Sequence, residues 1–439
     1  MKKLAKKTIY KIFFQLISIL KIQFILIYLS YFFLKLKTKK RYINNSQNRI
    51  NALVVDKAGF DTDLLPLQST QKINLFLFPE NWLMTIVKSF LDEKLHCQIE
   101  YHFHDDELSI KQKNKLESIF INILKYLQNK LDINVILVKN FDYFEHQDLC
   151  KAAKKLNLKI VVIYCESVTT EFSANSFTEA KSIKKRVKFP FDLILVSGPN
   201  GKNLLVQNEV CNENEIVVTG YCRTDVIYNT SLENITKNRD LVVLFDFGFE
   251  DFLFYDEDGY GAPKLAYSVT EEFGKLSKNF LNEYKFVIKT RTNENVEKVY
   301  QYLKNFNVKK SDITVTGNLT MREVVKRAKL VVGYTSTTTL ELLGTNLPFI
   351  VPYWFEAQQN TESGNSFFDD KNHPGYIKTN DKKEFNKTVT AILSNKYNLE
   401  NIDELSTSRK KLIYNNLFSI DGKASQRTFE ALEKLVLIK

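Results

Sequence analysis

Past residue 50 the chain alternates short runs of β-branched and aromatic residues with longer stretches whose apolar positions recur every three or four residues. In the first half the runs are NALVVDK, KINLFLF, NVILVKN, KIVVIYC, DLILVSG and EIVVTG, ending at Gly220. In the second half they are DLVVLFDF, KFVIKTR, DITVTG, KLVVGYT and LPFIVPYW. Runs apolar at nearly every position predict strands covered on both faces, the situation in parallel sheets joined by crossover helices. Between them, helical spacing predicts helices over stretches such as Ser109 to Lys130, Leu265 to Tyr284, Asn295 to Phe306, Met321 to Ala328 and Thr338 to Leu343. The expected fold is α/β, with two doubly wound, Rossmann-like domains facing across a cleft. They span residues 50–228 and 239–398 and are joined near Tyr228 to Arg239. The tail, residues 399–439, reads as helical and is expected to pack back across the first domain.

The first 41 residues break this rhythm. From Ile9 to Leu34 almost every position is apolar, yet Lys11 and Lys21 interrupt the run, and Lys3, Lys7, Lys11, Gln15 and Ser18 recur as one polar helical stripe. Only Ile22 to Leu34, thirteen residues, is uncharged, short of the roughly 20 that cross a bilayer as a helix. No small-residue cleavage site follows. The expectation is a helix lying in the membrane interface and closed by the basic cluster Lys35 to Arg41. A single tilted span is one alternative, and a core helix of the folded body is another. Either membrane reading places the body at the cytoplasmic face of the plasma membrane.

Charge matters through its location. The net charge is +11, but residues 1–50 hold twelve Lys or Arg and no acid, leaving 50 basic against 51 acidic side chains in the other 389 positions. The body is therefore neutral, and nucleic acid is not an expected partner. Five scattered cysteines without CxxC spacing argue against a disulfide framework or a zinc knuckle. His102 and His104 alternate like strand neighbours, but no third ligand accompanies them. Asp61-Thr62-Asp63 and Asp256-Glu257-Asp258 are triplets of a kind common by chance, so no metal or other cofactor is expected. The phosphate loop GxxxxGK[ST], the GxSxG elbow and HExxH are missing.

In open parallel sheets ligands sit beyond the carboxyl ends of the strands. The segment VVGYTSTTTLELLG, from Val331, is one such handover: a strand, four hydroxyl residues Thr335 to Thr338, then a short helix whose free amides and dipole favour an anion. Ser336, Thr337 and Thr338 are candidate phosphate ligands, and Glu341 is a candidate acceptor for ribose hydroxyls. Plain helix capping is the alternative.

The order of strand, GYTSTT, LELLG and LPFIVP is similar to the donor-nucleotide segment of the two-domain (GT-B fold) glycosyltransferases that build bacterial surface polysaccharides. It also resembles the Tyr-Ser-Ser segment of the polyol-phosphate transferases of teichoic-acid synthesis. Upstream, IVVTGYCRTDVIYN resembles the Thr-Gly-x-Pro-Arg-x-Asp segment at the interdomain crossover of these families. Cys222 replaces the proline, and Gly220, Arg223 and Asp225 stay in register and, on this resemblance, are candidate donor-nucleotide ligands. A third stretch, KFVIKTRTN, corresponds to a strand that in relatives often ends in His-Pro; Arg291 and Thr292 stand there instead, and Lys289 and Arg291 are offered as partners for phosphate charge.

The resemblance implies a membrane-associated enzyme that transfers a sugar from a nucleotide-activated donor to a lipid-linked or glycan acceptor of the capsule or lipopolysaccharide type. No obligatory metal is implied. A carboxylate or histidine must then assist proton removal from the acceptor hydroxyl. Glu166, directly after KIVVIYC, leads; Asp56 with Lys57, and Asp61, follow, surface or capping roles being the alternative. Transfer of glycerol- or ribitol-phosphate from a CDP-linked donor, a nonhydrolysing sugar-nucleotide epimerase and a noncatalytic nucleotide- or glycan-binding scaffold are the other readings.

Overall fold

A computed structural model describes residues 23–38, 50–56, 60–164, 189–232, 239–246, 264–290, 293–333, 337–345, 347–355, 376–397 and 402–437. The chain divides into two compact units. The first holds α1 (Gln23–Lys37), β1 (Ile50–Asp56), α2 (Asp61–Ser69), β2 (Ile73–Pro79), α3 (Glu80–Phe90), α4 (Gln98–Phe103), α5 (Glu107–Leu131), β3 (Val135–Val138), α6 (Phe144–Lys155), β4 (Lys159–Ile163), β5 (Leu193–Val196), α7 (Pro199–Gln207) and β6 (Ile216–Val218). Its strands form one parallel six-stranded sheet in the order β2-β1-β3-β4-β5-β6.

Alternate residues of these strands enter two different cores, which is why the runs are apolar throughout. Leu53, Val55, Ile136, Val138, Ile160 and Val162 pack with residues of α3, α5 and α6. Their neighbours Ala52, Val54, Val135, Leu137 and Val161 pack on the opposite face with Leu64 and Leu67 of α2.

The second unit begins within α8 (Arg223–Leu232) and continues through β7 (Leu241–Phe245), α9 (Lys264–Asn279), β8 (Lys285–Lys289), α10 (Val296–Lys304), β9 (Thr314–Thr316), α11 (Met321–Arg327), β10 (Ala328–Val332), α12 (Thr337–Leu343), β11 (Phe349–Pro352), β12 (Ile377–Thr379), α13 (Lys382–Leu393) and α14 (Ile402–Leu417). Its parallel sheet runs β12-β11-β10-β7-β8-β9. Every one of the eleven predicted runs contains a strand; β12, three residues long, was not foreseen. The tail divides between the units. The α14 helix packs on α12, whereas α15 (Ala424–Leu437) rejoins the first unit and buries Phe429 and Leu432 in its second core. At the return, Gly422 has φ +72° and Tyr228 Cδ1 lies 2.6 Å from where a Cβ would stand, so glycine is required there.

Residues 1–22 lie outside the described residues, but α1 is part of the first unit, not a segment standing apart from it. Leu26, Ser30 and Leu34 are buried, Trp82 Nε1 donates to Ser30 Oγ at 2.9 Å, and the Leu77 amide of the edge strand β2 donates to Thr38 Oγ1 at 2.9 Å. No helix among the described residues is long and apolar enough to cross a membrane. One face of α1 is therefore buried against the sheet edge and α5, with Trp82 as the partner of Ser30. Leu34→Ala is expected to lower unfolding free energy by about 2–5 kcal/mol, whereas Phe32→Ser on the outer face is expected to change it little; urea unfolding checks both.

Candidate functional site

The second sheet reverses direction once. From β7 the chain winds outward through β8 to β9, then crosses back to β10 on the other side of β7 and continues to β11 and β12. Strand order therefore switches between β7 and β10, and crevices at such points, beyond the carboxyl ends, take ligands in doubly wound sheets. Two strand ends flank this point. Asp246, buried, follows β7, and its amide donates to Lys289 O at 3.0 Å. Gly333 follows β10, and its amide donates to Ile350 O at 3.1 Å. A Cβ on Gly333 would stand 3.0 Å from Phe349 Cζ and 3.7 Å from Phe245 Cβ, so the chain leaves β10 through a gap that only glycine fits comfortably.

The hydroxyl-rich segment leaves from this point. Tyr334, Thr335 and Ser336 lie outside the described residues. The backbone resumes as α12 at Thr337, whose side chain is not described; Thr338 is half-buried and Glu341 is buried. At seven residues α12 is two turns, so its summed dipole is weaker than a full helix supplies. Any anion binding there depends on the hydroxyls and local amides more than on the macrodipole. Behind α12, Arg409 Nη1 of α14 donates to Thr345 O at 3.1 Å. A Cβ on Gly344 would lie 2.5 Å from Ile420 Cδ1, so this end of α12 is held close against the chain that follows α14.

Lys289 ends β8, two strand spacings, roughly 10 Å, from β10. Its ammonium donates to Gly317 O at 3.0 Å and to Thr290 O at 3.2 Å, and burial pushes it below the ordinary lysine range. It stands at the carboxyl edge of the same sheet, tethered to backbone carbonyls. Arg291 lies outside the described residues.

The TGYCRTD segment has a different setting. Gly220 takes φ +82° just after β6, the left-handed turn that glycine permits. Arg223 then opens α8 against Asp63 of α2, which is 1% exposed. Arg223 Nε donates to the two Asp63 oxygens at 2.9 and 3.1 Å, Nη2 donates to Oδ2, and the Arg223 amide donates to Oδ1 at 3.2 Å. Nearby, Cys222 Sγ donates to Thr428 Oγ1 at 3.4 Å and Arg427 Nε donates to Thr219 O at 2.8 Å. In this geometry Arg223 joins the start of α8 to α2. Asp225 is buried in the first turn of α8.

In the first sheet the order switches between β1 and β3. Asp56 ends β1, level with Pro79 of β2, and its side chain is not described; Lys57 and Glu166 lie outside the described residues. Past β3, Asn140 Oδ1 accepts from the Asp142 amide at 3.3 Å, and Glu145 and His146, both buried, open α6. These polar residues at a switch point were not singled out by sequence; FEHQD, a few residues after a buried strand, was the available signal.

His102 and His104 are not strand neighbours: α4 runs through His102, and burial pushes its imidazole down to about 4. Beside it Tyr101 donates to Asp148 Oδ1 at 2.5 Å, with Lys151 Nζ 3.6 Å from the same oxygen. Burial holds the Asp148 carboxyl above the usual carboxylate range. This group lies among α4, α5 and α6, and His102 meets Phe189 edge-on at 5.5 Å. Among the described residues no group of three or more His, Cys, Asp or Glu is placed to hold a metal. Asp256 to Asp258 lie outside the described residues.

No protein-family model matches the sequence, and no curated protein matches it. Solved structures share its two-sheet fold. A variant of the wall teichoic acid polymerase TagF matches at TM-score 0.53 with 9% identity, over 98% of each chain. S. aureus MnaA solved with UDP matches at 0.52 and 13% identity, over 89% of this chain and 98% of that one. UDP-GlcNAc 2-epimerase from Neisseria meningitidis, bound to UDP-GlcNAc, matches at 0.50 and 13% identity, over 88% and 100%. At such identities the likeness is one of fold: two Rossmann-like units of the GT-B kind.

Proposed function

We propose that the protein is a glycosyltransferase that takes a sugar from a nucleotide-activated donor and adds it to a lipid-linked or glycan acceptor of the capsule or lipopolysaccharide type, at the cytoplasmic face of a membrane. The observation that carries this reading is the departure of GYTSTT from the switch point of the second sheet, in a fold shared with proteins solved with UDP or UDP-GlcNAc. In this reading Ser336, Thr337 and Thr338 donate to the diphosphate, Glu341 serves the ribose side, and Lys289 with Arg291 offsets the charge of the departing nucleotide. The second unit is thus the donor side and the first the acceptor side. Positioning and prearranged donors lower the barrier without an obligatory metal. Glu166 or Asp56 takes the proton of the acceptor hydroxyl. TGYCRTD and the fold shared with TagF favour one second reading, transfer of a polyol phosphate from a CDP-linked donor.

Purified protein incubated with UDP-, GDP-, CMP- and CDP-linked donors separates these readings. Release of nucleotide from a sugar donor supports the first, and release only from CDP-glycerol or CDP-ribitol supports the second. Binding without turnover on any donor leaves a scaffold.

A further inference from the structure

Helix α1 has two unlike faces. At about 100° per residue, Leu26, Ser30 and Leu34 share the side packed on the first unit. Ile25, Tyr28, Phe32 and Leu36 fall within roughly 80° of one another on the opposite side. These four are 37%, 59%, 53% and 65% exposed and form one stripe along the helix.

Cationic side chains border the stripe. Lys35 is exposed and its Nζ stands 4.7 Å from the Tyr31 ring centre. On the adjacent α5, Tyr126 meets Tyr28 edge-on at 5.5 Å, and Lys130 Nζ stands 5.9 Å from the Tyr126 ring centre. Lys125, one position before Tyr126, is also exposed. No acid occurs in residues 1–50, nor in α5 from Ser118 to Leu131; the first beyond is Asp132 at the C-cap. Aromatic and aliphatic side chains edged by lysines lying across tyrosine rings match the boundary between acyl chains and anionic headgroups. The helix is fixed to the sheet edge by its other face, and its 15 residues span about 22 Å, less than the ~30 Å hydrocarbon core.

We propose that this outer face of α1 docks the first unit on an anionic lipid surface, with the helix lying along the membrane. The proposal rests on the membrane-associated transferase reading and assigns its membrane contact to a helix that is also part of the folded unit.

The test is co-sedimentation of the full chain with phosphatidylcholine vesicles, with and without phosphatidylglycerol. Wild type is expected to bind the anionic vesicles, and Tyr28→Ser/Phe32→Ser/Leu36→Ser to bind them roughly tenfold more weakly or worse. Lys35→Glu/Lys125→Glu/Lys130→Glu is expected to lose the preference for anionic lipid, and Leu281→Ser, at an exposed residue of the second unit, to behave as wild type. Circular dichroism and thermal unfolding confirm that each variant is folded. Unchanged vesicle binding by the first triple variant overturns the proposal, as does equal binding of wild type to neutral vesicles. A change of oligomeric state in that variant without vesicle binding by wild type also overturns it, because the stripe then covers a second copy. Turnover of soluble donors, measured in parallel, is expected to be unaffected by the triple change. Lost docking with intact turnover strikes only this inference, and intact docking without turnover strikes only the transferase reading.

Discussion

Replacing Asp63 with alanine is expected to lower the unfolding free energy by roughly 3 kcal/mol, near the lower end for breaking a buried ion pair. The carboxylate is 1% exposed and accepts both from the Arg223 guanidinium and from the first amide of α8. Its loss takes a buried carboxylate away from a guanidinium whose side chain is only 19% exposed. Asp63→Asn keeps acceptor capacity for the amide without the charge and should fall between the two. Arg223→Lys should also destabilise, because an ammonium does not reproduce the fork of the guanidinium. A double-mutant cycle on urea unfolding gives the coupling directly. Coupling above about 1 kcal/mol with unchanged donor affinity assigns Arg223 to this ion pair, and loss of donor affinity without loss of stability assigns it to the ligand instead.

Gly333→Val should have the largest effect on ligand binding. The branched side chain would meet Phe349 Cζ from a Cβ only 3.0 Å away, and Phe349 is 1% exposed. Overpacking of this kind costs about 1–3 kcal/mol. The strain falls at the exit of β10, where GYTSTT begins, so donor affinity should drop by roughly tenfold to a hundredfold as the segment shifts. Gly333→Ala should lie between. Thermal unfolding and calorimetric titration of the donor on the same preparations separate the two effects, and a destabilised variant with wild-type donor affinity would show that the switch point is not the donor site.

Both sheets were legible because each central strand is covered on both faces, so that its burial leaves an uninterrupted apolar run, as in Val135–Val138 and Leu193–Val196. The β12 strand was not: three residues at a sheet edge, Ile377, Lys378 and Thr379, carry too little pattern. The apolar composition of α1 did not show which face packs on the first unit, because Trp82, which holds that face, lies 52 positions from Ser30. Arg223 was read from a motif as a donor ligand, and its partner Asp63 is 160 residues away, beyond the reach of any local period. The spacing of His102 and His104 suggested a strand, yet the backbone there is the end of a six-residue helix. Short-range patterns thus conveyed strands and their ends, while the contacts of Ser30 and Arg223 come from residues far away in sequence.

The most direct test of a donor site at the second switch point is calorimetric titration of UDP-, GDP-, CMP- and CDP-linked donors into wild type and Ser336→Ala/Thr337→Ala. Each lost hydrogen bond to a charged phosphate is worth about 1.5–3 kcal/mol, so the account predicts that one donor binds wild type and binds the variant at least roughly tenfold more weakly, with the unfolding midpoint unchanged. Equal affinity of every donor for the two proteins would contradict it and leave Thr335 to Thr338 as a helix cap.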